Sequence, residues 1–150
     1  MMDYKALNNG LKMPMVGLGV YNISERETQR VVEDALSVGY RSIDTAAMYY
    51  NEKGVGDAVK ASAIPRDELF ITTKICDSCY TREETLRSVD HSMKLLGLDY
   101  VDLMLIHWPV GNPTVSGIRS KNSTNKVCSK PSAYRTSIPT PSPRLLMMPR

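Results

Sequence analysis

Up to about residue 110, short apolar runs alternate with longer stretches in which apolar residues recur every three or four positions, and turn residues mark each change. Val31, Val32, Ala35 and Leu36 make one apolar face at helical spacing. Ser24-Glu25-Arg26-Glu27 stands before that face, a hydroxyl followed three residues later by a glutamate, and predicts a capping box; Gly39 supplies the stop. Thr81-Arg82-Glu83-Glu84 repeats the signal ahead of Leu86, Val89, Met93 and Leu96, with Gly97 as terminator. Val55, Ala58 and Val59 support a third helix from Glu52 to Ser62. The mostly apolar runs Leu69 to Thr73 and Val101 to Ile106, bounded by turns, have the pattern of strands covered on both faces. Two shorter strands are expected at Val16-Gly17-Leu18 and Arg41 to Asp44, and Asn8-Asn9-Gly10 predicts a small hairpin ahead of them.

The resulting order is β-α-β-α-β-α-β, with strand ends near Gly19, Asp44, Lys74 and His107, which is a parallel α/β design. Beyond residue 112 the periodicity stops. Residues 113–150 are rich in Ser, Thr, Pro, Lys and Arg, as in Ser137-Ile138-Pro139-Thr140-Pro141, and are expected to be a disordered tail because they cannot bury enough apolar surface. Two segments therefore divide the chain, 1–112 and 113–150.

The 150 residues are 42% hydrophobic and 23% charged, an ordinary balance for one domain. The net charge of +3 conceals an asymmetry, since Asp102 is the last acidic residue and the tail carries seven basic residues and no acid. With Tyr134 as the tail's single aromatic and no amphipathic pattern, neither nucleic acid nor membrane is an expected partner. No apolar run reaches the ~18 residues of a membrane span, and the start lacks the character of a signal peptide, so a cytoplasmic location is expected. Three cysteines are poor material for a disulfide framework. Cys76-Asp77-Ser78-Cys79 is a lone C-x-x-C without two further ligands, and no metal is expected.

Candidate chemistry sits at the strand ends, because in a parallel α/β barrel those ends and the following loops share one face. Asp44, Lys74 and His107 close the second, third and fourth strands, and Tyr49 lies five residues into the loop after Asp44. Each alone is more often a cap or a surface charge than a catalyst. Together they suit protonation of a carbonyl oxygen: a phenol ordinarily titrates near ~10, and an ammonium a few ångström away favours the phenolate. Asp44 would hold Lys74 charged, and His107 would hydrogen-bond the carbonyl. The hydride must come from a nicotinamide, because no side chain supplies one. Gly17-Leu18-Gly19 and Gly54-Val55-Gly56 are fragments of a Gly-x-Gly-x-x-Gly pattern and do not support a Rossmann site.

Five separated motifs resemble the aldo-keto reductase family, in its order and spacing: Gly17-Leu18-Gly19-Val20-Tyr21, Ile43-Asp44-Thr45-Ala46-Ala47-Met48-Tyr49, Asn51-Glu52 with Gly54-Val55-Gly56, Thr72-Thr73-Lys74, and Leu105-Ile106-His107-Trp108-Pro109. The likeness covers residues 5 to about 111 and is to the prostaglandin F synthase and 2,5-diketogluconate reductase types. It implies the first four strands and three helices of a (β/α)8 TIM barrel, and NADPH-dependent reduction of an aldehyde or ketone to an alcohol. It makes Tyr49 the proton donor, Lys74 the group that favours its phenolate, Asp44 the partner of Lys74 and a cofactor contact, and His107 the substrate-orienting residue. Gly19, Val20 and Tyr21 would lie beside the nicotinamide, Tyr21 also beside the substrate, and Trp108 would wall the substrate pocket. Half of the family barrel is absent from the 150 residues, so impaired activity is expected, and the acid-free tail reads as out-of-frame or artificial sequence. The competing expectation is a catalytically silent fragment or protein-binding module. Self-association through exposed barrel edges is the remaining partner expectation.

Overall fold

The computed structural model of the chain describes residues 3–75 and 81–108. The expected tail over residues 113–150 and the Cys76–Cys79 pair lie outside the described residues. The hairpin forms as expected, with β1 (Tyr4–Ala6) antiparallel to β2 (Lys12–Pro14) and Gly10 in the turn at φ 84°. Next come β3 (Leu18–Gly19), α1 (Glu25–Ser37), β4 (Ser42–Asp44), a 310 turn at Ala47–Tyr49, α2 (Glu52–Ala61), a second 310 turn at Arg66–Glu68, β5 (Phe70–Ile75), α3 (Arg82–Leu96) and β6 (Leu103–Ile106). Strands β3 to β6 form a four-stranded parallel sheet in sequence order. The fold is α/β, a partial barrel of four strands and three helices.

Three expectations need correction. The first barrel strand begins at Leu18 and not at Val16, which is 62% exposed, because pairing starts only where Leu18 meets Ile43. The last strand begins two residues late, because Asp102 acts as a buried brace: its carboxylate accepts from the Ile71 amide at 2.9 Å and from Arg66 at 2.8 Å. At the head of α1, Ser24 occupies the N-cap but caps nothing with its side chain; its hydroxyl donates to the Glu27 carboxylate at 2.7 Å. At α3 the capping box is complete, with Glu84 N–H donating to Thr81 Oγ1 and Thr81 N–H to Glu84 Oε2.

The core lies between the sheet and its helices. Ile43 and Ile71, fully buried, pack against Val32 and Leu36 of α1, Val55 and Val59 of α2, and Leu96 of α3. Gly54 and Gly56 let the helices approach this closely. A Cβ on Gly54 would stand 2.9 Å from Thr28 of α1, and one on Gly56 would stand 1.9 Å from the Leu96 carbonyl oxygen. The Gly-x-Gly of α2 thus serves helix packing. Among the described residues no helix is long and apolar enough to cross a membrane.

Candidate active site

Strand register sets which side chains share a face. Gly19 pairs with Asp44, Asp44 with Thr72, and Lys74 with Leu105. Side chains two residues apart on a strand point the same way, so Gly19, Asp44, Lys74 and His107 belong to one face, each strand's contribution standing near its C-terminal end. Ile43, Ile71 and Thr73 belong to the other face, toward the helices, where the core is found. The 310 turn returns Tyr49 over the first face.

Lys74 is the hub. Its side chain is 12% exposed, and its Nζ donates to Asp44 Oδ1 at 2.5 Å, to the Thr45 carbonyl at 2.9 Å and to the Tyr49 hydroxyl at 3.3 Å. An ammonium with so little water around it requires these acceptors. The Tyr49 ring meets the His107 ring edge-on at 5.5 Å and the Tyr21 ring at 5.0 Å, while His107 stacks on Trp108 at 6.0 Å. Tyr21 and Trp108 are 66% and 59% exposed, so the cluster opens to solvent on an aromatic rim. The geometry brings a phenol, an ammonium, a carboxylate and an imidazole around one open mouth.

Val20 stands apart from the other residues of its loop. Its side chain is fully buried, its N–H donates to the Asp44 carbonyl at 3.0 Å and its carbonyl accepts from Asn51 at 2.8 Å. Both backbone groups are engaged and the side chain fills the core, so of Gly19, Val20 and Tyr21 only the first and third face the mouth.

Asn51 and Glu52, without an assigned role in the sequence, are the two largest fully buried polar side chains among the described residues. Their position next to each other at the start of an otherwise amphipathic helix was the available signal. Glu52 Oε1 accepts from Thr73 Oγ1 at 2.5 Å on the helix-facing side of β5. Burial pushes its carboxyl above the ordinary value of 4.5, and the Thr73 hydroxyl, the nearby Ser92 hydroxyl and the charge of His91 oppose that shift. Among the described residues Glu52 Oε2 and Ser92 Oγ are buried without a well-aligned hydrogen bond.

Sequence comparison places these residues in a known group. The profile of the Aldo/keto reductase family matches residues 14–123. Methylglyoxal reductase DkgA of Yersinia pestis is 54% identical over 103 residues, covering 69% of this chain and 36% of that protein. The crystal structure of an aldo/keto reductase from Brucella melitensis matches with a TM-score of 0.74 at 46% identity, over 77% of this chain and 44% of that one. An aldo-keto reductase of Bombyx mori, solved in complex with NADP, matches with a TM-score of 0.68 at 36% identity, over 77% of this chain and 41% of that one. The chain therefore spans well under half the length of the relatives it matches. With the profile covering most of its residues, the chain belongs to the aldo/keto reductase family.

Proposed function

We propose that the mouth formed by Asp44, Tyr49, Lys74 and His107 reduces aldehydes or ketones to alcohols with NADPH. The observation that carries this reading is the contact of the Lys74 ammonium with both the Tyr49 hydroxyl and the Asp44 carboxylate. Tyr49 donates its proton to the carbonyl oxygen, and Lys74 compensates the charge left on the phenol oxygen. Asp44 and the Thr45 carbonyl hold Lys74 in place. His107, across the Tyr49 ring, hydrogen-bonds the carbonyl oxygen and sets its direction, while Tyr21 and Trp108 offer apolar walls. When bound, NADPH supplies the hydride. The residues present fit a flat ring beside them: a Cβ on Gly19 would meet nothing within 4 Å, so the space next to β3 is open, and the Asp44 side chain beside it on β4 is 41% exposed. The NADP complex of the Bombyx mori relative supports the choice of cofactor. Gly19, Tyr21 and Asp44 are the cofactor contacts within this reading.

Tyr49→Phe tests it. In these residues joined to the C-terminal part of a relative, the change should lower reduction by on the order of 100-fold or more, the usual worth of general acid catalysis. NADPH affinity, followed by nicotinamide fluorescence, should stay within about twofold, because the substitution leaves the cofactor contacts untouched. A fully active Tyr49→Phe enzyme would overturn the assignment.

A further inference from the structure

We infer that Asn51 is a positioning residue that clamps the first βα loop to the second and so holds Tyr21 against Tyr49 and the Thr45 carbonyl against Lys74. This rests on the reductase reading for its purpose, though the clamp itself is geometric. Asn51 stands at the N-cap of α2, where an asparagine ordinarily accepts from the helix's own amides. Here its side chain makes no such bond. It is fully buried and faces the loops: Nδ2 donates to the carbonyls of Val20 at 2.8 Å and Ile23 at 3.0 Å, and Oδ1 accepts from Thr45 Oγ1 at 2.8 Å.

Every one of those three bonds ends on a loop that carries a residue of the mouth. Val20 and Ile23 flank Tyr21 and Asn22, and Asn22 is held at φ 60°, a left-handed conformation that needs fixing from outside the turn. Thr45 is the residue whose carbonyl accepts from Lys74, and it follows Asp44 directly. Tyr50, next to Asn51, is also left-handed at φ 54°, which turns the chain sharply from the 310 turn bearing Tyr49 into α2 and brings Asn51 under both loops. At the strand ends the Val20 N–H to Asp44 carbonyl bond ties the two loops; beyond it, among the described residues, the Asn51 carboxamide carries the tie on to Ile23 and Thr45. The spacing of the two loops is what sets the 5.0 Å approach of the Tyr21 and Tyr49 rings.

The test reads that approach directly, in the 150-residue chain with ring-labelled tyrosines, by the nuclear Overhauser contact between Tyr21 and Tyr49. Asn51→Asp, which keeps shape and acceptor but removes both N–H donors, should weaken the contact at least threefold while the methyl signals of Ile43 and Ile71 stay in place. Thr45→Val should do the same, and Thr45→Ser, which restores the hydroxyl, should return the contact. A contact retained in both Asn51→Asp and Thr45→Val, or absent from the parent chain, overturns the inference. So does loss of the sheet signals in Asn51→Asp when Thr45→Val leaves the rings unmoved. None of these readings needs turnover, so a failure of the reductase assignment and a failure of the clamp remain distinguishable. In an active joined form, Asn51→Asp should lower kcat at least tenfold with less than a threefold change in KM for NADPH; equal loss in both constants contradicts a positioning role.

Discussion

Glu52 is 1% exposed, and its one firm partner is a neutral hydroxyl. Burial raises its carboxyl above 4.5, so the folded state binds the proton more tightly than the unfolded one. The contribution is therefore complete below pH 4.5 and is lost as pH rises through the higher folded value, the reverse of an ion-paired carboxylate. Glu52→Gln keeps the acceptor for Thr73 and removes the ionisation. The variant should lose less stability than the parent between pH 4.5 and 7, as followed by urea midpoints, and identical pH slopes would show that Glu52 does not titrate in this range. At this scale the sequence offered Asp44, Tyr49, Lys74 and His107 as candidates because their side-chain types suit proton transfer, and the structure brings the four together. The sequence did not show the work of Thr45, Asn51 and Glu52, because a polar residue on a helix looks the same whether water or a buried carbonyl satisfies it.

At the scale of elements, two identical cap signals have different outcomes. Thr81→Ala removes a complete capping box and should cost about 1 kcal/mol. Ser24→Ala removes only an exposed hydroxyl-to-carboxylate bond and should stay within about 0.5 kcal/mol, both read from urea midpoints; equal costs would contradict the geometry. Helix packing gives a sharper expectation. A Cβ at Gly56 would stand 1.9 Å from a backbone oxygen of α3, which no rotamer change relieves. Gly56→Ala should force α2 and α3 apart at a cost near the upper end of the ~1–3 kcal/mol typical of overpacking. A midpoint unchanged from the parent would show that the two helices pack less closely than described. Helix limits were legible to within a residue or two, since periodicity and terminator glycines are local signals; strand limits shifted because a strand ends where its partner does.

For the whole molecule, the proposed function requires the Tyr49 phenol and the cofactor to be held together. Near-attack geometry is worth as much as ~7–11 kcal/mol of barrier, and the chain spans well under half the length of the relatives it matches. The 150 residues by themselves should therefore bind NADPH weakly and reduce carbonyls slowly. The same residues joined to the C-terminal part of a relative should do both. Nicotinamide fluorescence and loss of absorbance at 340 nm measure the two effects; robust turnover by the 150 residues alone would contradict the expectation.

The sequence by itself determined the parallel α/β order and the helix faces and marked four candidate side chains, because period, capping and side-chain chemistry are properties of neighbours along the chain. Only the tertiary structure decided which of them meet. Register put Asp44, Lys74 and His107 on one face of the sheet and Thr73 on the other. Close packing turned the Gly54-Val55-Gly56 fragment into a helix contact and drew Val20 into the core. The Asn51 carboxamide reaches Val20, 31 residues away, only once both loops lie side by side, and a bond over that separation leaves no periodic trace in the sequence.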